Sequence, residues 1–158
     1  MLLAMLRTAC ALVAAATVAA CGPPPPNAFT RDAPPAQWTA EQRQVAVDTH
    51  PFGWYGICVI AQDNFGPKLT EADKRVVAEI LHRKGYTARD VELITDGSVV
   101  YGTGMTYRGL ECAGGGRLFP NRAFYPGTGH QWQVPFGSGF VYLEGDGTPE
   151  GMRVTAWN

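Results

Sequence analysis

Residues 131–144 read QWQVPFGSGFVYLE. Two runs that alternate apolar and polar residues, QWQV and FVYLE, flank the Pro- and Gly-rich stretch PFGSG, the pattern of a β-hairpin. A period of two sends successive side chains to opposite faces, so such strands can bury one face and leave the other wet. EGDGTPEG, 144–151, reads as a second and longer turn, and MRVTAW, 152–157, as a third strand. The chain therefore ends in an antiparallel meander, and no internal repeat is visible.

Upstream of the meander the period lengthens. TEADKRVVAEILHRK, 70–84, places Ala72, Val76 and Ile80 four apart, and Val77 and Leu81 likewise, which predicts a helix with one buried stripe. Thr70 is its cap, Glu71 and Asp73 suit the positive end, and His82, Arg83 and Lys84 suit the negative end before Gly85. Thr39 and Gln42 have capping-box spacing and open a short helix over 40–47; Thr87 and Asp90 repeat the spacing and open a short second helix or a loop. WYGICVI, 54–60, is aromatic and β-branched and reads as a strand, and 99–101 as a brief extended piece. Helices before a terminal meander give the fold class: α+β, short helices packed on a small antiparallel sheet.

The first residues carry an address. Met1–Ala20 has a short start with Arg7, an apolar stretch from Ala9 and small residues before Cys21, the layout of a secretory signal. Its apolar part, about a dozen residues, is shorter than the ~20 a membrane-spanning helix needs. Val18, Ala19, Ala20 and Cys21 together resemble the bacterial lipobox. That resemblance implies cleavage before Cys21, a diacylglycerol on its thiol and an acylated amino group, a two-signal anchor that is lasting where a single chain is not. Gly22 in place of aspartate after the cysteine favours the outer membrane, facing the periplasm. PPPPNAFTRDAPP, within the linker 21–38, favours extended polyproline II and reads as a stalk. The remainder, 39–158, has the size of one domain.

Loss of Arg7 with the signal leaves 12 basic and 14 acidic side chains. Such a balance excludes a nucleic-acid partner, which needs a basic patch. With Cys10 in the signal and Cys21 acylated, Cys58 and Cys112 remain as an even pair in an oxidising compartment, most simply a disulfide. Closing that loop contributes about 4 kcal/mol in the chain-entropy account.

GMTYRGLECAGGG, 104–116, and HQWQVPFGSGFVYLEGDG, 130–147, resemble the BamE/SmpA/OmlA-like envelope lipoproteins, whose architecture is shared with β-lactamase-inhibitor-protein-like domains. The resemblance spans roughly 90–157. It implies two helices on an antiparallel sheet and an accessory role in outer-membrane assembly or stability. This chain departs from the pattern after Gly114–Gly116, where no proline occurs until Pro120. If Trp132, Phe140 and Tyr142 share an exposed face, with Gln131 beside them, they form an aromatic surface suited to a protein contact. The alternative is that they are core or cross-strand pairs.

Chemistry is harder to find. Cys112 within YRGLECAGGG faintly resembles the nucleophile of NlpC-type cell-wall peptidases, with His130 the one histidine after it. A position late in a helix raises a thiol's pKa instead of lowering it, and Cys58 competes for the sulfur. His50, His82 and His130 are scattered, so no metal site is expected. The glycines at 102–116 lack the Lys-Ser/Thr of a phosphate loop, and no cofactor is expected. The sequence thus points to a non-catalytic, membrane-anchored protein that binds another envelope protein. An inhibitor of an envelope hydrolase is the alternative, and a cysteine peptidase a third.

Overall fold

A computed structural model describes residues 33–52, 56–62, 68–96, 101–127 and 129–158. Cys21, the signal and the linker up to residue 32 lie outside these, as do Trp54, Tyr55 and Val99. The helices are α1 (Ala40–Asp48), α2 (Ile57–Ala61), α3 (Glu71–Arg83), α4 (Ala88–Asp96) and α5 (Tyr107–Ala113). The strands β1 (Asn121–Tyr125), β2 (Gly129–Phe136), β3 (Gly139–Glu144) and β4 (Arg153–Trp157) follow. They form one antiparallel sheet in the order β1-β2-β3-β4. The fold is α+β: short helices, then a four-stranded meander. Among these residues no helix is long and apolar enough to cross a membrane.

Four of the five helices begin at a threonine, and the residue three places on decides how each start is wired. Thr39 and Gln42 close a capping box on α1. At α3 the box closes through Asp73, whose Oδ2 accepts from Thr70 N and Thr70 Oγ1 while Oδ1 accepts from Ala36 N at 2.9 Å. That outward bond ties the 3-10 turn Pro35–Gln37 to the domain, so residues 33–38, assigned above to the linker, are packed. Trp38 is buried there, its Nε1 donating to Ala33 O. Helix α3 stops as expected at Gly85, φ +85°: Gly85 N donates to His82 O and Tyr86 N to Leu81 O, a Schellman motif. Lys84 then reaches back to α1, donating from Nζ to Val47 O and Thr49 O.

At α5 the third residue is Gly109, which has no side chain to return the bond. Asp90 of α4 supplies it from outside. Its Oδ2 accepts from Thr87 N at 3.0 Å, closing the box of α4. Its Oδ1 also accepts from Thr106 N at 2.7 Å, and Oδ2 from Thr106 Oγ1 at 3.0 Å. Thr106 Oγ1 accepts in turn from Gly109 N at 2.7 Å. One buried carboxylate, 1% exposed, thus caps two helices.

A disulfide joins Cys58 on α2 to Cys112 on α5, both wholly buried. Tyr86 Oη lies 3.5 Å from Cys58 Sγ. A disulfide sulfur carries no proton, so the tyrosine donates. Burial pushes the Tyr86 hydroxyl's pKa up, opposed by the Arg108 guanidinium, whose Cζ lies 4.4 Å from the ring centroid. The strand expected over 54–60 is a correction: Ile57–Ala61 is helical, opening at Gly56. A short apolar run buried nearly all round has no wet face to set a period, so composition misleads there. The core joins Ile57, Val77, Ile80, Leu81 and Ile94 from the helices to Met105 and Leu110 around α5 and to Val134, Val141, Leu143 and Val154 of the sheet.

Candidate interaction surface

The β2–β3 turn sets which side chains share a face. Phe136 pairs with Gly139, so Gly137 and Ser138 alone form the loop, with Gly137 at φ +60°. Glycine as the first of two loop residues suits the tight turns that match strand twist. Trp132 then pairs with Leu143, Gln133 with Tyr142, and Pro135 with Phe140. Directly opposed residues lie on one face, and this register splits the expected aromatic set. Trp132 joins Val134, Val141 and Leu143 on the core face, half-buried, its ring beneath the turn at Gly147, where an added Cβ would lie 3.2 Å from Cζ2. Gln131, Phe140 and Tyr142 point the other way.

The outer face carries Ala123 and Tyr125 from β1, Gln131, Gln133 and Pro135 from β2, Phe140 and Tyr142 from β3, and Ala156 from β4. None of these side chains is buried, and Phe140 is 37% exposed. The face is nonetheless ordered by its own contacts. The Tyr125 and Tyr142 rings meet edge to face, centroids 5.9 Å apart. Tyr125 Oη donates to Gln133 Oε1, and Asn158 Nδ2 donates to Tyr142 Oη at 3.0 Å. Asn158 also clamps Phe140, its Oδ1 accepting from Phe140 N and its N donating to Phe140 O. Tyr125, Gln133 and Asn158 escape the sequence reading. Counting the turn as two residues would have found Gln133, whereas β1 and its Tyr125 give little period to read.

Elsewhere the possible chemistry is tied up. Cys112 is held in the disulfide and offers no thiolate, and His130 lies on β2 with its ring against Phe124 at 5.3 Å between centroids. Among the described residues no three His, Cys, Asp or Glu side chains gather as metal ligands would. An open groove of about 500 Å³ between α3 and α4 is lined by Glu71, Lys74, Arg75, Glu92 and Leu93 among others. Two of its charges pair with each other, Lys74 with Glu71 at 3.0 Å. Compared with known protein families, characterised proteins and solved structures, the chain matches none.

Proposed function

We propose that this chain is a lipid-anchored protein of the bacterial envelope that acts without catalysis, by binding another envelope protein through the outer face of its sheet. The anchor is Cys21, in the lipobox-like sequence Val18–Cys21, and the side is periplasmic. The observation that carries the binding reading is the ordered, unburied array of Tyr125, Gln133, Phe140 and Tyr142. Tyrosine and phenylalanine rings give large contact area for few rotatable bonds. Here ring contact and the bonds of Gln133 and Asn158 already restrict them, so little side-chain entropy is lost on docking. Glutamines beside the rings supply donors and acceptors for a partner's backbone.

Two measurements test this. Cys21→Ser is expected to move the protein out of the membrane fraction; retention there would remove the anchor. Crosslinking in cells, followed by capture from the membrane fraction, is expected to yield a protein adduct that Phe140→Ser and Tyr142→Ser abolish and Trp132→Phe leaves intact. Equal adducts from all three variants would rule out the outer face.

A further inference from the structure

The sheet has two edges, and the chain treats them differently. The edge at β4 is covered by the segment entering α5: Gly104 N donates to Val154 O, Val154 N to Met105 O, and Tyr107 N to Met152 O, all within 2.9–3.1 Å. Among the described residues, nothing pairs with the far edge of β1, where alternate N–H and C=O groups point away from β2. An uncovered edge is a template for another strand, and proteins commonly blunt it. Arg122 could serve that end alone, but blunting does not call for the Phe124 beside it, 65% exposed on the same side of the strand.

The strand itself carries a basic residue and no acidic one. From Cys112 to Leu143 the chain contains no Asp or Glu, while Arg117 and Arg122 fall within that stretch; Glu111, just outside it, is turned to Leu118 N, which donates to its Oε1 at 3.1 Å. Arg122 is exposed and makes no ion pair or hydrogen bond among the described residues. Arg117 and Phe119, immediately before β1, repeat the Arg-x-Phe order of Arg122 and Phe124, with Phe119 75% exposed. Pro120 and Pro126 lack N–H groups and confine pairing to the five residues between them.

We propose that β1 takes up an extended, acidic segment of a partner protein as a fifth strand, with a carboxylate opposite Arg122 and an apolar side chain two residues away opposite Phe124. Backbone bonds along Asn121–Tyr125 would hold the segment, and the alternate side chains would select it. The inference rests on the chain being a binding module but uses a different surface, so the two can fail separately.

The test uses the purified full-length chain and the capped peptide Thr-Thr-Val-Thr-Glu-Thr-Thr, read by amide hydrogen exchange and titration. Exchange at the β1 amides is expected to slow several-fold. Replacing the peptide's Glu by Lys is expected to weaken binding about tenfold, and Arg122→Glu to reverse that preference. N-methylation of alternate peptide amides is expected to abolish binding, whereas Phe140→Ser leaves it unchanged. Binding indifferent to methylation or to the charge swap, or unprotected β1 amides, would overturn the proposal. So would a concentration-dependent dimer with β1 protected in the absence of peptide, since a second copy would then fill the edge. Loss of the cellular adduct on Tyr142→Ser, with no peptide effect at β1, would leave the outer-face reading standing and this one refuted.

Discussion

Gly109→Ala is expected to destabilise the domain, although helix propensity alone has the opposite sign. Alanine in place of glycine inside a helix gains about 1 kcal/mol. At this position the added Cβ would lie 2.1 Å from Asp90 Oδ1 and 2.5 Å from Asp90 Cγ. Either α5 or the carboxylate must move. Overpacking costs about 1–3 kcal/mol, and a lost bond to a charged acceptor about 1.5–3 kcal/mol. Less the propensity gain, the net loss is about 1.5–5 kcal/mol, or a melting temperature lower by roughly 6–20 °C at about 4 °C per kcal/mol. Urea and thermal unfolding of the oxidised protein, followed by circular dichroism, measure it. Gly116→Ala is the control, since nothing lies within 4 Å of the Cβ it would add; it is expected to stay within about 0.5 kcal/mol. Asp90→Ala is itself destabilising, because it orphans Thr106 N, yet it opens the space the new methyl needs. In that background Gly109→Ala is expected to cost nothing or to stabilise. A stabilising Gly109→Ala in the wild type, or an equal loss in both backgrounds, would refute the shared cap.

Three further outcomes follow from the same structure. Cys58→Ala, Cys112→Ala and the double variant are expected to lose stability by the same amount, about 4 kcal/mol in the chain-entropy account, and Cys58 and Cys112 to show no reactive thiol until the protein is denatured and reduced; thiol labelling mapped to these two positions and urea midpoints check this. Burial pushes the Asp73 carboxyl up, but hydrogen bonds from the Thr70 hydroxyl and from Ala36 N and Thr70 N outweigh it and leave the pKa below the ordinary 3.8. The unfolded chain then binds the proton first, so this group stabilises above that ordinary value and its contribution fades as pH falls through the lowered native one. Asp73→Asn is expected to lose about 1–2 kcal/mol at pH 7 and to flatten the acid limb of a stability–pH curve; an unchanged limb would count against the assignment. Lys84→Met keeps the apolar stem but removes the ammonium that donates to Val47 O and Thr49 O; unfolding measurements are expected to show a loss of about 1.5–3 kcal/mol.

The helix over 71–83 and the last three strands were legible because each has a wet side that fixes its period, and the helix over 40–48 because its capping box, Thr39 and Gln42, is written in the sequence. What escaped has a common physical cause: the missing information was not local. Helix α2 has almost no wet side, and its partners come from residues 28 and 54 positions away, Tyr86 and Cys112. Strand β1 is a short edge whose pairing is visible only once β2 is placed. The choice of face is the instructive case. If PFGSG is taken as a five-residue loop, Val134 falls opposite Phe140 and Trp132 opposite Tyr142, on one face. The observed two-residue loop slips the register by one, and a one-residue slip exchanges the faces of an entire strand. Composition could not decide between them, since aromatic residues occupy both sides; the turn geometry could.

Helix α5 shows why the candidate surfaces sit where they do. It is only seven residues long and lacks a side chain at its third position, so it cannot close its own capping box. It is completed from three directions: Asp90 caps it from α4, Cys112 ties it to α2, and Tyr107 N, leading out of its first turn, donates to Met152 O beside β4. A segment too short to be helical alone thereby becomes the joint between the helical layer and the sheet. The same joint covers one sheet edge, through Gly104–Tyr107, and β1 at the far side has no pairing partner besides β2 among the described residues. The difference between the two edges thus follows from how α5 is built in: among the described residues one segment covers a sheet edge, and Asp90 and the disulfide both hold that segment at β4.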